Sequence, residues 1–241
     1  MNSRPDLVLG WAAEGTAVFE AAARTVTDAG FTRPSLLPGW TRAHVVAHVA
    51  RNADALVNLL TWARTGVTTP MYTSPEQRSR EIEEGARLSP DELRADLRAA
   101  GARLAEAADA LPEAAWDARV RTARGREVPV SQTAWMRVRE VWVHAVDLDA
   151  HTTFDDLPPD VCAALLDDVT ASFTARADAP RVRLRAVSGD REWAFGAPGT
   201  ARPVTVTAEV PSLAAYATGR PVPAVLHADG GEPLPVLPAW L

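Results

Sequence analysis

The segment Trp135–His151, WMRVREVWVHAVDLDAH, places a carboxylate and an imidazole four residues apart within a helical pattern. Residues at i and i+4 are neighbours on a helix surface, so Glu140 and His144 can present an oxygen and a nitrogen to a common point. They belong to one polar stripe of this helix, formed by Thr133, Arg137, Glu140, His144, Asp147 and His151. For such a pair taken alone, a surface ion pair is the favoured interpretation, and part of a metal site is the alternative.

A second predicted helix supplies the imidazole that could complete such a site. It carries His44 and His48, and periodicity does not rank the two. Either one with Glu140 and His144 would give two nitrogens and one oxygen, which suit zinc and leave a fourth position open. The structural alternative also stays open: one histidine caps a polar seam and the other is a core residue with a backbone partner.

The stripe ends with two groups whose roles are less specific. Asp147 and His151 could orient metal ligands from behind. We expect instead that both side chains are exposed to solvent on the last turns of the helix.

Helical spacing of apolar residues predicts three more long helices within the first 150 residues. They cover residues 5–29, residues 41–66 with Thr41 as N-cap and Gly66 as stop, and residues 89–111, which begin with the capping sequence Ser-Pro-Asp-Glu. Residues 67–85 are predicted to form a loop, and a connector through Gly125 and Pro129 leads to the helix of Glu140. Four long helices favour a four-helix bundle, in which metal sites lie between facing helices.

The pattern changes after a turn-rich linker at residues 152–159. A helix is predicted over residues 161–175, followed by a hairpin of RVRLRAV and REWAF, a third strand in PVTVTAEV and a short helix ending near Gly219. The fold class is therefore α+β. We expect a helical, metal-binding domain at residues 1–153 and a small α/β domain at residues 160–241.

Composition narrows the possible partners and compartment. The net charge of −6 and the absence of a basic run argue against nucleic acid as a partner. The N-terminus has no signal-peptide pattern and no stretch approaches a membrane span, so neither secretion nor membrane insertion is expected. The one cysteine, Cys162, excludes an internal disulfide, fits a reducing cytoplasm, and is expected to be a small buried hydrophobe. No dimer seam is evident, so a monomer is expected.

Three stretches resemble one known family, the mycothiol-dependent maleylpyruvate isomerases. They are PGWTRAHVVAHVARNADALVNLLTWARTG, TPMYTSPEQRSREIEEG and TAWMRVREVWVHAVDL. That family belongs to the DinB-like, metal-binding four-helix-bundle superfamily and adds a C-terminal α/β domain. The resemblance extends over nearly the whole chain and is densest in the first 150 residues.

The resemblance implies a set of site residues. The metal ligands would be His48, Glu140 and His144, with zinc as the metal, a water at the open position, and His44 as a neighbour that does not bind the metal. Arg220 in the segment YATGR would hold the substrate as a catalytic residue, although Pro221 after it departs from the family. Arg78 is a further candidate for substrate binding.

The reaction implied by the resemblance converts maleylpyruvate to fumarylpyruvate in the gentisate branch of aromatic catabolism, with mycothiol as the thiol cofactor. A thiolate favoured by zinc would add to the double bond, rotation would follow, and elimination would yield the trans product. Two alternatives stay open. One is a mycothiol S-transferase on the same scaffold, and the other is a nonenzymatic metal-binding module in which His44 closes the site.

Overall fold

The computed structural model describes residues 4–196, 202–222, 224 and 226–240, and the chain divides between Thr152 and Thr153 into two compact units. The helices of the first unit are α1 (Asp6–Thr25), α2 (Arg42–Thr65), α3 (Pro75–Gly85), α4 (Pro90–Asp109) and α5 (Gln132–Asp147). Helix α2 packs on α4 and α5, and α1 packs on the same two helices. The four long helices form the predicted bundle.

Capping explains where the long helices begin and end. At the start of α4 the backbone N–H of Ser89 donates to Glu92 Oε2 (3.0 Å) and the N–H of Glu92 donates to Ser89 Oγ (3.4 Å). Helix α2 ends at Gly66, whose φ of 73° lies in the left-handed region that favours glycine. Both boundaries agree with the sequence prediction.

The segment predicted as a loop contains a helix, so that prediction was wrong. Helix α3 begins after Ser74, whose Oγ accepts from the N–H of Gln77 (3.1 Å), and Pro75 occupies its first turn. Ile82 is the buried hydrophobic residue of α3, so the helix has no apolar repeat by which to recognise it.

Two further elements differ from the prediction. The connector before α5 contains a hairpin of β1 (Arg119–Arg121) and β2 (Glu127–Pro129), with Gly125 at a φ of 78° in the turn. Helix α5 ends at Asp147, four residues before the predicted end, because Asp149 and His151 adopt positive φ values of 53° and 75°. Helix α1 likewise ends at Thr25, and a 3-10 turn follows at Asp28–Thr32.

The second unit combines two helices with a mixed sheet. Its elements are α6 (Pro159–Thr174), β3 (Val182–Ala186), β4 (Glu192–Phe195), β5 (Val204–Ala208), α7 (Val210–Thr218) and β6 (His227–Ala228). The strand order is β4-β3-β5-β6, with β3 and β5 parallel and the other pairs antiparallel. The predicted hairpin, third strand and short helix are all present. Among the described residues no helix has the length and apolar character needed to cross a bilayer.

The close contact between α1 and α5 gives a test of the bundle. A Cβ on Gly15 would lie 2.6 Å from Trp142 Nε1, which already donates to Trp11 O at 2.9 Å, whereas a Cβ on Gly10 in the same helix would meet nothing within 4 Å. We expect Gly15→Ala to lower the free energy of unfolding by about 1–3 kcal/mol through overpacking. Gly10→Ala should raise it by about 0.5–1 kcal/mol through helix propensity. Urea unfolding measures both, and a Gly15→Ala protein as stable as Gly10→Ala would contradict this packing.

Candidate metal centre

Helices α2 and α5 bring three potential metal ligands together, the same three that the resemblance implied. His48 Nε2 lies 2.8 Å from Glu140 Oε2, and His144 Nε2 lies 3.2 Å from the same oxygen. One donor atom from each of these side chains lies within 4.8 Å of the others. The spacing of Glu140 and His144 on one helix and the placement of His48 on its neighbour therefore create a single cluster.

His144 is held from behind by a buried carboxylate. Its Nδ1 lies 2.8 Å from Asp147 Oδ2, and the side chain of Asp147 is completely buried. The expectation that Asp147 is exposed was wrong, because the loop that contains Leu36 lies over the end of α5. Leu36 N donates to Asp147 O at 2.9 Å, which shows the preceding loop lying over this helix end. His151, beyond the helix, is exposed as predicted.

His44 has a different role from His48, although both lie on α2. Its Nδ1 accepts from the backbone N–H of Thr41 (3.2 Å), and the Thr41 side chain accepts from the backbone N–H of His44, so the two residues form a capping box at the helix start. The Nδ1 of His44 also lies 2.7 Å from Thr41 Oγ1. Its Nε2 lies 3.4 Å from Glu83 Oε1 on α3. Both ring nitrogens of His44 are therefore engaged away from the cluster.

Burial and hydrogen bonding set the protonation of the cluster. Burial lowers the pKa of His48, and the attraction of Glu140 offsets this only in part. Burial acts on His144 in the same direction, but its hydrogen bonds to Asp147 and Glu140 prevail and raise its pKa to about 9. Burial alone would raise the pKa of Glu140, but the charge of His48 and hydrogen bonds from both histidines hold it well below its usual range. The protonation of His144 and the ionisation of Glu140 are thus coupled through their contact.

The donor set fits a divalent metal. Ligands at about 2.0–2.1 Å from a tetrahedral metal lie about 3.3 Å from one another. The two histidine nitrogens lie 2.8 and 3.2 Å from Glu140 Oε2, and all three donor atoms lie within 4.8 Å of one another. The carboxylates of Glu140 and Asp147 balance two positive charges. Asp147 also holds the outer nitrogen of a ligating imidazole, a partner that histidine metal ligands usually have. Three protein ligands leave one position for a water or a thiol.

Arg78 lies beside the cluster, on the helix α3 that the sequence did not reveal. Its Nη2 lies 3.3 Å from His48 Nδ1, and its guanidinium carbon lies 5.8 Å from the centre of the Tyr72 ring. Burial raises the pKa of the Tyr72 phenol, although the charge of Arg78 opposes this effect. Tyr72 is a neighbour of the cluster that sequence reasoning missed, because no motif or periodicity marked it.

Arg220 follows α7 in the second unit. Its backbone N–H donates to Ala215 O (2.9 Å) and its Nη1 donates to Thr218 O (2.6 Å), next to Gly219, which caps the helix with a φ of 74°. The side chain is partly buried rather than the fully exposed charge of an ordinary helix end.

A four-helix bundle with a partly buried His-Glu-His cluster on two facing helices is typical of the class of metal-binding helical-bundle proteins. The family model described as "Mycothiol maleylpyruvate isomerase N-terminal domain" matches residues 12–149. The chain belongs to this family.

Solved structures extend the similarity to the second unit. A crystal structure of the mycothiol-dependent maleylpyruvate isomerase is 41% identical, with a TM-score of 0.91, and the match covers 98% of this chain and 96% of that chain. A histidine-to-alanine mutant of the mycothiol-dependent maleylpyruvate isomerase matches at 40% identity with the same TM-score and coverage. Among curated proteins no match was found.

The protein's own thiol is placed so that it should be unreactive. Cys162 on α6 is fully buried, and burial raises its pKa to about 12. Because the thiolate is the reactive form, we expect iodoacetamide at pH 8 to modify the folded protein at least about 100-fold more slowly than the same protein in urea. Mass spectrometry measures both rates, and similar rates in the two states would contradict the burial of this thiol.

Proposed function

We propose that the protein is a mycothiol-dependent maleylpyruvate isomerase that produces fumarylpyruvate, with zinc held by His48, Glu140 and His144. The observation that carries the proposal is the convergence of these three donors in a chain that matches isomerase structures over nearly its whole length. The gentisate pathway, in which this isomerisation occurs, is the corresponding metabolic context.

Each residue of the cluster has a distinct part in holding the metal. His48 and His144 offer their Nε2 atoms and Glu140 its Oε2, while Asp147 keeps the ring of His144 in place through Nδ1. When bound, zinc supplies a site that favours the thiolate form of the mycothiol sulfur at neutral pH. The fold thus provides thiol activation without using Cys162.

Arg78 is suited to bind a carboxylate of the substrate. With the metal on Nε2 of His48, the ring proton resides on Nδ1, and Arg78 can no longer donate to that atom. Its guanidinium, lying over the Tyr72 ring, is then available to form a bidentate pair with a carboxylate next to the metal. We assign the same type of interaction to Arg220, as the family resemblance implies.

The reaction itself gives the first test. Purified protein loaded with zinc is expected to convert maleylpyruvate, followed by absorbance, when mycothiol is present and to show no conversion without it. Zinc binding without thiol-dependent conversion would reject the proposed reaction while leaving the metal site in place. Conversion that does not require the thiol would also reject it.

The two histidines of α2 make a matched pair. We expect His48→Ala to lose both bound zinc and turnover, because two remaining ligands hold the metal poorly. His44→Ala should keep both and lose only about 0.5–2 kcal/mol of stability, since it removes a helix cap. Metal analysis after dialysis, with turnover and thermal unfolding, checks both proteins. Zinc retained by His48→Ala, or lost from His44→Ala, would contradict the ligand assignment.

The arginines should affect catalysis without affecting zinc. Arg78→Ala and Arg220→Ala are each expected to lower kcat/KM about 10- to 100-fold, because a charged hydrogen bond contributes about 1.5–3 kcal/mol. Arg80→Ala, an exposed change on the same helix as Arg78, is the control and should leave kcat/KM unchanged. An unaltered kcat/KM in either test variant would remove that arginine from the substrate site.

A further inference from the structure

A second buried cation in the bundle has donors that the fold does not use. Arg137 on α5 is 2% exposed, and its Nη1 donates to Val49 O (2.8 Å) and to Asn52 Oδ1 (3.1 Å). Within the described part of the chain, its Nε and Nη2 have no hydrogen-bond partner. Buried donors of a charged group are costly to leave unpaired, so these two require an explanation.

The unpaired donors lie on one edge of the guanidinium. Because Nη1 is already engaged, Nε–H and Nη2–H remain, and these two point in parallel from the same side of the planar group. This is an edge that a carboxylate engages with both oxygens. Burial lowers the pKa of Arg137 to about 10, so the group still carries its charge at neutral pH.

Arg137 lines a cleft of about 690 Å³ between α1 and α4. The volume is in the range of small-molecule sites, which are mostly apolar with a few placed polar groups. Most of the walls are small or apolar, among them Leu9, Ala12, Leu60, Leu104, Ala105 and Ala108. The charged residues Arg4, Asp6, Glu20, Arg98 and Asp109 also line the cleft, and the charge of Glu20 acts on Arg137. The three side chains of the metal cluster do not line this cleft.

A second unpaired donor lines the same cleft. In the residues that the structure describes, the buried Nε1 of Trp116 has no acceptor. At this end of the cleft Arg4 bridges the two helices by its salt bridge to Asp109 (2.8 Å), and its guanidinium carbon lies 5.9 Å from the Trp116 ring centre. Arg137 and Trp116 thus both line the cleft and both carry buried donors without an acceptor, so a partner for either would be an acceptor.

We propose that the cleft between α1 and α4 binds a small amphipathic carboxylate, with its carboxylate on the free edge of Arg137 and its apolar body along the two helices. The ligand class is a monocarboxylate with an alkyl chain or aromatic ring. This site is additional to the metal centre and does not depend on the proposed isomerase activity.

Octanoate is a suitable probe, and octan-1-ol and acetate are its controls. Octan-1-ol keeps the alkyl chain but lacks the carboxylate, and acetate keeps the carboxylate but lacks the long alkyl chain. Calorimetric titration of the zinc-loaded full-length protein should show saturable binding of one octanoate per chain. We expect octan-1-ol and acetate each to bind at least about tenfold more weakly, since each lacks one of the two interactions. The absence of saturable octanoate binding, or equal binding of octan-1-ol, would overturn the proposal.

A variant that fills the cleft distinguishes octanoate binding in the cleft from octanoate binding elsewhere on the protein. A Cβ on Gly101 would meet Glu20 Oε1 at 3.4 Å and Thr16 Cγ2 at 3.5 Å, which are ordinary contacts, so Gly101→Leu should fold and occupy the cleft. Octanoate affinity should fall at least about tenfold. Ala99→Leu, an exposed change on the same helix, should leave the affinity unchanged. Unaltered affinity in Gly101→Leu would overturn the proposal.

Two further variants locate the carboxylate. Arg137→Gln should abolish the preference for octanoate over octan-1-ol, and the Gly101→Leu result decides the matter if Arg137→Gln does not fold. His48→Ala should keep octanoate binding, because the cleft does not use the metal. Loss of octanoate binding in a folded His48→Ala protein would place the ligand at the metal centre and overturn the proposal. Zinc content and isomerase turnover, measured on the same samples, test the other function separately.

Discussion

A hydrogen-bonded chain of charged groups determines how α2 and α5 face each other. It runs from Asp147 through His144 and Glu140 to His48, with successive contacts of 2.8, 3.2 and 2.8 Å. Of these contacts, the one between Glu140 and His48 joins α5 to α2. Because a largely buried charge that loses its partner costs several kcal/mol, this contact favours the register in which the two helices pack. The same contact also brings the three potential metal donors, from His48, Glu140 and His144, close together.

Neighbouring contacts hold the hydrogen-bonded series of charged side chains in place. The capping box of Thr41 and His44 starts α2 about two turns before His48. Arg42 donates to Asp149 O (2.7 Å) just beyond α5. The later part of α2 instead packs its apolar residues, such as Leu56 and Leu59, into a hydrophobic cluster with β1, β2 and the end of α4. One helix therefore contributes a polar seam near its beginning and a dry core near its end.

Much of this architecture is predictable from the sequence because the signals are local. The capping box at Ser89 and the i, i+4 spacing of Glu140 and His144 each lie within a few residues, and α4 and the cluster follow from them. The choice between His44 and His48 could not come from periodicity. A signal was nonetheless present, because Thr41 and His44 occupy the two positions of a capping box, which would have assigned His44 to the helix start.

The remaining features depend on tertiary contacts. Helix α3 has Ile82 as its buried hydrophobic residue, so its stability comes from caps and from packing on α2 rather than from an apolar repeat. Asp147 is buried because the loop of Leu36 covers the end of α5, which a helical wheel does not show. Arg78 approaches His48 because α3 packs on α2, and the ring of Tyr72 lies beside the guanidinium of Arg78.

X-ray absorption spectroscopy of the zinc-loaded protein tests the central claim most directly, because it reports the ligands of the metal without relying on activity. Four light-atom ligands are expected, including the two imidazoles of His48 and His144 and the oxygen of Glu140. The imidazole scattering should be unchanged in His44→Ala and reduced in His48→Ala if any zinc is retained. A spectrum with three imidazoles, or with oxygen ligands alone, would contradict the assignment of the cluster as the metal centre.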